Sequence, residues 1–423
     1  MKLACIGPLG PLKTGVADFS ESLLPYLAEW CDIKLFTDAY TPTTTAILSR
    51  YTTADISAFV CDPSAFDVAI YHMGNHYRFH KGVFEAIRRV PSIVLLHDCV
   101  LNQFFAKLAL ERGNFAIFRR LLEYCHPDIS PKEAALFFEV KGDPYRYPMA
   151  GIVDACSRGT IVMNEYGRSI VLREAPRANI LRINFPHFAT PVLPESATAF
   201  RAKHGIPGDW FVVTSIGHMT PAKRIDVALE AFRKFNEKFP ESVFLLAGEA
   251  SPRFPLAAVT GGKWAKNVRF LGYLSRAELE GLREASDVCI NLRYPSNGEM
   301  SSTLIEMIGR GKVVVVSNYA QFAEFPDSTC VKINVGPGES DDLAGSLLEL
   351  ARNPDQKKTR SQNRSLRRTK FVAFSRRTTG PRGHDICSYT MRGGFLRTRA
   401  SRGWRKQFAT PCAERSQERR KRA

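Results

Sequence analysis

Short runs of β-branched and other apolar residues recur along this chain, with segments of helical periodicity between them. Such alternation is typical of βα units, whose strands assemble into a parallel sheet covered by helices. The runs fall into two series, and each series predicts one sheet. The first series is KLACI, DIKLF, DVAIY, SIVLLH, GTIVM and NILRI, and the second is WFVVTSIG, SVFLLAG, NVRFLG, DVCINL, KVVVVSN and CVKIN.

The length and the break between the two series predict two domains. A chain of 423 residues can bury two separate cores of ordinary size. The stretch HFATPVLPESATAFRAKHGIPGD is rich in proline and lacks a strand pattern, so we place the linker there. The sequence therefore predicts an α/β protein with doubly wound, Rossmann-like domains over residues 1–190 and 191–355.

Helix signals agree with this division. Apolar residues recur at helical spacing between Gly15 and Glu29, which predicts a helix packed on the first sheet. In the second series, Ser275 with Glu278 three residues later predicts a capping box. A buried helical stripe is predicted at Ile225, Leu229, Phe232 and Phe235.

The net charge of +17 is located at one end of the chain. Residues 355–423 hold 21 Lys and Arg but 4 Asp and Glu, and the remainder holds 38 of each sign. A neutral body does not indicate nucleic acid or anionic membrane as a partner. Three interpretations of the irregular tail, 356–423, stay open: disorder, an altered reading frame, or a nucleic-acid-binding arm. We favour the first two, because the aromatic residues are not spaced as stacking platforms.

Cysteine usage and the chain start predict a cytoplasmic protein. The ten cysteines include no Cys-x-x-Cys pair, and several fall inside apolar strand runs, as reduced buried thiols do. The start MKLACIGPLGPLKTG is too short and interrupted for a signal peptide. No uncharged apolar run approaches the ~18 residues of a membrane span. The inner face of the membrane is an alternative location.

Ligands of doubly wound sheets bind outside the carboxyl ends of the strands, so the loops that follow strands are the candidate sites. In the first loop, GPLGPLKTGVADF, Gly15 lies near a helix N-terminus, where backbone can approach phosphate. The loop resembles a Walker A motif, but Leu12 stands where the second glycine must be. The alternative is a connection with no ligand.

The loop IGHMTPAKRID is the second candidate. Gly217 closes a strand, and Lys223 and Arg224 begin the next helix, where a lysine ammonium can meet a diphosphate as a point charge. Taken alone, two cations at a helix start are more often solvated surface.

The segment LRYPSNGEMSSTLIEMIGRGKVVVVSN is the most informative of the chain. Ser301 and Ser302 lie at a predicted helix N-terminus, whose amides can bind phosphate, and glycines end that helix. The segment resembles the signature of retaining glycosyltransferases of family 4, in which a glutamate after a strand is followed, eight positions on, by a second glutamate and then by a helix end bounded by glycine. Counted back from Gly311, Glu306 matches the second glutamate, and Glu299 lies one position late for the first.

The resemblance covers roughly residues 1–350 and implies the GT-B fold, in which two Rossmann-like domains face a cleft. It implies that Glu306 holds the nucleotide ribose and that Lys223 meets the diphosphate. His218 stands where the family has an arginine. His97, which ends a strand together with Asp98, matches the family's histidine beside the donor sugar.

The resemblance further implies retaining transfer of a sugar from a nucleotide-diphosphate sugar, with catalytic roles for His97, Lys223 and Glu299. The acceptor would be a sugar, a lipid-linked hydroxyl or another hydroxyl, with peripheral membrane contact, no nucleic acid and no cofactor. We predict no metal, because the chain has no Asp-x-Asp and because Gly74 interrupts the His72, His76 and His80 series. The alternatives are a catalytically impaired GT-B protein, a nucleotide-sugar epimerase, and nucleic-acid binding through the tail.

Overall fold

The computed structural model describes residues 1–137, 142–188, 196–252, 254 and 267–353. The predicted irregular tail, 356–423, lies outside the described residues.

Seven parallel strands form the first sheet, and most of their buried side chains are apolar because helices cover both faces. They are β1 (Lys2–Ile6), β2 (Asp32–Thr37), β3 (Thr52–Asp55), β4 (Val68–Met73), β5 (Ile93–Leu96), β6 (Gly159–Val162) and β7 (Ile180–Arg182). Their order across the sheet is β3-β2-β1-β4-β5-β6-β7.

Nine described helices accompany this sheet. They are α1 (Gly15–Leu27), α2 (Thr45–Leu48), α3 (Ile56–Cys61), α4 (Tyr77–Arg89), α5 (Asn102–Glu111), α6 (Phe115–Cys125), α7 (Pro131–Leu136), α8 (Gly151–Cys156) and α9 (Glu165–Glu174). The helix predicted from Gly15 is confirmed as α1, although its most buried residues are Ala17, Phe19, Ser20 and Leu24.

Six parallel strands form the second sheet. They are β8 (Phe211–Ile216), β9 (Ser242–Ala247), β10 (Val268–Gly272), β11 (Val288–Asn291), β12 (Val313–Ser317) and β13 (Val331–Ile333), in the order β10-β9-β8-β11-β12-β13. The described helices beside it are α10 (Ser196–Lys203), α11 (Ile225–Lys238), α12 (Arg276–Ala285), α13 (Ser302–Gly309), α14 (Ala320–Ala323) and α15 (Glu339–Arg352).

All twelve predicted strands are confirmed, and one more is present. The extra strand, β3, has the sequence TTAD, which is too polar to be distinguished from a loop by its apolar content. The capping box at the start of α12 is also confirmed, since Ser275 and Glu278 exchange hydrogen bonds. The predicted stripe of α11 is buried.

The strand order reverses once in each sheet, and these two switch points locate the site. In the first sheet the chain proceeds outward from β1 to β3 and then returns to place β4 on the other side of β1. In the second sheet β11 returns beside β8 in the same way. Ligands of doubly wound folds bind at the carboxyl ends of strands at such points.

An apolar cluster contains side chains from both halves of the chain. Its buried members are Phe19, Leu95, Met163, Phe185 and Ile305. Because Ile305 belongs to α13 and the other four precede the second sheet, the cluster packs the two domains against each other. Among the described residues, no helix combines the length and the apolar character that crossing a membrane requires.

Candidate active site

The carboxyl ends of the two sheets meet at the loop that follows β11. Backbone N–H groups of Cys99 and Val100, just after β5, donate to the carbonyl oxygen of Asn297 over 2.6 and 3.1 Å. Asn164 Nδ2 donates to the carbonyl oxygen of Gly298 over 2.8 Å. A Cβ at Gly298 would lie 3.2 Å from that of Cys99, and its φ of +76° favours glycine. These contacts join the loop of one domain to the strand ends of the other.

His97 directly follows β5 and is 7% exposed. Its Nε2 lies 3.0 Å from Nδ1 of His72, and the two rings stack with centroids 5.3 Å apart. The ring of Phe19 meets it edge-on at 5.0 Å. Burial, with His72 and His80 nearby, lowers the pKa of His97 well below its ordinary value. His97 is therefore a neutral imidazole, with one nitrogen that donates and one that accepts.

The three histidines at four-residue steps do not share one face. His76 is exposed before α4, whereas burial lowers the pKa of His72 to about 4 and that of His80 to about 3. The carbonyl oxygen of His72 lies 3.2 Å from Nδ1 of His80. Among the described residues, no group of three or more His, Cys, Asp and Glu side chains is arranged to hold a metal ion. Metal independence stays a prediction.

Asp98 is a further titratable group at this edge, and the sequence assigns it no role. Its Oδ2 accepts a hydrogen bond from the backbone N–H of Asn75 over 2.7 Å. Burial, together with the charge of Glu299, raises the pKa of Asp98 to about 7. The signal that could have identified it is its position directly after a strand, where ligand-binding side chains concentrate.

Lys223 ends a short 3-10 helix after β8, and its Nζ donates to the carbonyl oxygen of Ile216 over 2.5 Å. A Cβ at Gly217 would lie 2.6 Å from that nitrogen, and Gly217 has a φ of +108°. Gly217 therefore makes room for the lysine. Burial and the nearby Arg293 lower the pKa of Lys223 to about 7. His218 is exposed.

Arg293 is a second cation at this edge, and the sequence analysis missed it. It lies two residues after β11, and its Nε is 3.2 Å from Oε1 of Glu299. Its backbone N–H donates to Oγ of Ser317 over 2.9 Å, which fixes the start of the loop. The positive charge of Arg293 lowers the pKa of Lys223, so the two side chains are close enough for their charges to interact. Its position in a loop after a strand was the available signal.

Glu299 holds the turn that joins β11 to α13. Its Oε2 accepts hydrogen bonds from Ser296 Oγ over 3.0 Å and from the backbone N–H of Asn297 over 2.8 Å. Its carbonyl oxygen accepts from Nε2 of Gln321 over 2.6 Å. Together with the Arg293 pair, the two bonds to Oε2 fix the carboxylate within its own loop, and the bond from Gln321 holds the backbone.

The N-terminus of α13 faces the same loop. Ser301 is its N-cap: Oγ accepts from the backbone N–H of Leu304 over 3.3 Å and donates to Oδ1 of Asn291 over 3.0 Å. Ser302 is the first residue of the helix and is exposed. The unpaired amides and the dipole of a helix start attract anions.

Arg224 does not accompany Lys223. Its guanidinium forms a two-bond ion pair with Glu339 at the start of α15, at 2.5 and 3.0 Å. Glu339 is 2% exposed, so the pair is a packing contact between helices. The backbone of Arg224 is left-handed, with φ +50°.

Glu306 lies within α13, and its nearest charged partners are His187 and Arg310. Its Oε2 is 3.8 Å from Nε2 of His187 and 3.9 Å from Nη2 of Arg310, and burial raises its pKa. A Cβ at Gly309 would overlap His187, which explains that glycine. Among the described residues, no hydrogen bond or ion pair joins Glu306 to Lys223.

Gly15 begins α1, as predicted, and is exposed. The N-cap Thr14 accepts from the backbone N–H of Val16 over 3.3 Å. In the same loop, Lys13 Nζ forms a 2.9 Å ion pair with Glu249, which follows β9 of the other domain. The first loop therefore reaches across to the second sheet.

Comparison with known proteins finds a match to a protein family in the second half of the chain. Residues 196–367 match the family model described as Glycosyl transferases group 1. The matched segment is less than half of the chain. It includes Lys223, Arg293, Glu299 and Glu306.

A curated relative agrees with this assignment. The α-monoglucosyldiacylglycerol synthase of Acholeplasma laidlawii is 24% identical over 182 residues, which are 43% of this chain. The match spans 45% of that enzyme's length, somewhat less than half.

Solved structures extend the likeness beyond the matched segment to the fold of the described chain. HepE from Anabaena in complex with UDP and glucose superposes with a TM-score of 0.63 at 14% identity, covering 92% of this chain and all of that one. Sucrose-phosphate synthase from Thermosynechococcus elongatus gives 0.64 at 14% identity over the same shares. The fold is GT-B, with two Rossmann-like domains.

Proposed function

We propose that the chain transfers a sugar from a nucleotide-diphosphate sugar to an acceptor hydroxyl, with retention of configuration and without a metal ion. The observation that carries the proposal is the position of Glu299. Its charge acts on Asp98 of the first domain and on Lys223 of the second. The ends of both sheets therefore meet around one charged loop, where a donor can be held between them.

The second domain supplies positive potential for a diphosphate. Lys223 and Arg293 would provide two cations, and the start of α13 at Ser302 would provide amides and the positive end of a helix dipole. A buried ammonium whose pKa is lowered to about 7 is stabilised by an anion beside it. Two cations would balance the two negative charges of a diphosphate diester, which supports a reaction without a metal.

The first domain supplies neutral hydrogen-bonding groups. His97 is a neutral imidazole at the end of β5, and such a group donates to a sugar hydroxyl without competing for the diphosphate. In the proposed mechanism the leaving diphosphate accepts the proton of the acceptor hydroxyl while the cations stabilise its growing charge. Glu299 then acts as a support for the loop and not as a nucleophile, in agreement with its three hydrogen bonds and ion pair.

The donor and acceptor are proposed from relatives. HepE was crystallised with UDP and glucose, which makes UDP-glucose the first donor to test. The name of the curated relative points to a diacylglycerol lipid, and this chain has an exposed surface that suits contact with a membrane. Leu110, Phe115 and Tyr124 on α5 and α6 are exposed, on helices that also carry the ion pairs Lys107–Glu111 and Arg119–Glu123. We propose peripheral contact with the inner face of a membrane through this surface.

The proposal is tested with the full chain and UDP-, GDP- and ADP-glucose. Thermal stabilisation identifies the nucleotide, because a ligand that binds only the folded state raises the melting temperature. The matching donor is then incubated with diacylglycerol in vesicles, with a sugar acceptor, or with no acceptor. We expect acceptor-dependent product whose anomeric configuration by NMR equals that of the donor, unchanged by EDTA.

Each other outcome has a defined meaning. Conversion of the donor without any acceptor would instead show an epimerase or a hydrolase. An inverted product would contradict retention, and loss of transfer with EDTA would contradict metal independence. Stabilisation without turnover by any acceptor would favour a catalytically impaired binding protein.

A further inference from the structure

Three neighbouring strands of the first sheet place polar side chains in one row beneath α1. They are Cys5 on β1, His72 on β4 and His97 at the end of β5. His72 Nε2 lies 3.6 Å from Sγ of Cys5, and His72 Nδ1 lies 3.0 Å from Nε2 of His97. Ser20 of α1 closes the row, with its Oγ 3.1 Å from that same Nδ1. All four side chains are buried.

The hydrogen bonds of Ser20 determine where the proton of His72 lies. Ser20 Oγ donates to the carbonyl oxygen of Val16 over 2.7 Å, so its own hydrogen is engaged within the helix. The oxygen therefore presents a lone pair to Nδ1 of His72. An unprotonated Nδ1 would oppose that lone pair at 3.1 Å, whereas a protonated one donates to it.

The same reasoning assigns the remaining nitrogens. A proton on Nδ1 of His72 is shared between Ser20 and Nε2 of His97, so that Nε2 must accept. Nε2 of neutral His72 is then an acceptor for the thiol of Cys5, which stays protonated because burial raises its pKa to about 12. In this arrangement every contact between members of the row joins a donor to an acceptor, and no two lone pairs oppose each other.

We propose that His72 is a positioning residue that fixes His97 in the tautomer with its proton on Nδ1, leaving that N–H as the group His97 offers to the bound sugar. The part concerning the sugar rests on the proposed function, while the tautomer itself does not. Among the described residues, no protein group forms a hydrogen bond with Nδ1 of His97, which keeps it available to a ligand.

The glycine after β1 supports this arrangement. A Cβ at Gly7 would lie 2.8 Å from Cβ of His72, so only glycine lets His72 occupy its place in the row. Gly7 is also the first residue of the loop GPLGPLKTGVADF, which resembles a Walker A motif. The close approach to His72 provides a different reason for it.

The test measures the His97 tautomer and the reaction separately. The full chain is labelled with ¹⁵N in its histidine rings, and the His97 signals are assigned with His97→Asn. We expect an acceptor-type Nε2 and a protonated Nδ1 in the wild type. In His72→Leu the restraint is removed, so the His97 signals should change to the other tautomer or to a mixture. His72→Asn places an amide N–H near the Nδ1 position and should restore the wild-type pattern.

Turnover adds the functional readout. Because a misdirected group can slow a reaction strongly, we expect kcat of His72→Leu to fall roughly tenfold to a hundredfold with the donor KM unchanged. His72→Asn should recover most of it. His76→Asn, at an exposed histidine four residues away, is the matched control and should change neither measurement.

The two proposals fail in different ways. A protonated Nε2 on His97 in the wild type, or an unchanged pattern in folded His72→Leu, would overturn the role of His72 even in an active enzyme. The expected tautomers in a wild-type chain that transfers no sugar to any acceptor would confirm the restraint and reject the proposed function. Circular dichroism of each variant establishes that it is folded.

Discussion

The two sheets present different chemistry at equivalent places. At the carboxyl edge of the first sheet, His72 and His97 are buried and neutral, because burial lowers their pKa. At the carboxyl edge of the second sheet, Lys223 follows β8, and Arg293 follows β11 and pairs with Glu299 before the start of α13. The same strand order therefore carries a neutral donor and acceptor set in one domain and a positive one in the other.

This difference suggests how the two halves divide the work of sugar transfer. Positive groups stabilise the charge that develops on a leaving diphosphate, and such stabilisation is often the largest single contribution to catalysis. Neutral imidazoles orient hydroxyl groups by hydrogen bonding, and they stabilise developing charge less than cations do. Changes at the second edge should therefore affect transfer more than changes at the first edge.

The largest effect is expected for Lys223→Ala, which removes the cation proposed to meet the diphosphate. Turnover should fall by roughly a hundredfold to a thousandfold, as for other groups that stabilise developing charge. Steady-state kinetics with the donor identified by thermal stabilisation measure this loss. The matched control is Lys234→Ala on α11, because Lys234 forms a surface ion pair with Asp341 and has no predicted role in the site. An equal loss of turnover in the control variant would contradict a specific role of Lys223 at the diphosphate.

The second effect concerns the first edge. His97→Gln removes the imidazole at the end of β5, and we expect kcat to fall by roughly tenfold to a hundredfold because hydrogen bonding to the sugar is lost. Thermal stabilisation by the nucleoside diphosphate alone should stay unchanged, since the diphosphate is held by the other domain. A loss of that stabilisation would show that the two edges do not act separately.

Features of the two edges that depend on local sequence can be predicted, whereas features that depend on long-range contacts cannot. The strands, the helix starts at Gly15 and Ser302, and the location of Lys223 follow from periodicity and from loop position after strands. Periodicity does not predict which side chains that are distant in sequence lie close together in the fold. The effect of the Glu299 charge on the pKa of Asp98 depends on how the two domains face each other, and the His72 row depends on which strands become neighbours.

Arg224 and Glu306 illustrate the same limit. Local spacing in the sequence selects both as candidate site residues, but their partners in the structure come from other elements. Arg224 pairs with Glu339 at the start of α15, and Glu306 lies near His187, which follows β7. Whether they contact a nucleotide stays a prediction. Lys223 and Arg293 are also 70 positions apart, so the effect of Arg293 on the pKa of Lys223 can be recognised only in the folded chain.

The third prediction is a pH dependence that belongs to the second edge. Lys223 has a pKa of about 7 in the free protein, and a bound diphosphate should raise it by favouring the ammonium form. Donor affinity should therefore be greatest below pH 7 and weaken above it by up to about tenfold per pH unit. Calorimetric titration with an intact nucleotide sugar between pH 6 and 9 measures this slope.

Asp98 provides the control for that slope, because its pKa of about 7 means that it gains negative charge in the same range. Asp98→Asn removes that ionisation, and the remaining slope then belongs to Lys223. Lys223→Arg, which stays charged, should flatten the profile. A slope that persists in Lys223→Arg and disappears in Asp98→Asn would move the pH sensitivity to the first edge and reverse the comparison.

The smallest effect is expected at Glu306, where the second domain uses a carboxylate and not a cation. The resemblance to family 4 implies a hydrogen bond to the ribose, and removal of one such bond by Glu306→Ala should raise the donor KM by roughly threefold to tenfold with little change in kcat. Its partly buried place beside His187 and Arg310 means that the same change can also loosen α13. Glu306→Gln keeps the shape and one acceptor oxygen, so it separates the two effects. A donor KM restored by Gln would support ribose binding, whereas a lowered melting temperature with unchanged KM in Glu306→Ala would assign Glu306 to packing and leave recognition of the donor to the cations.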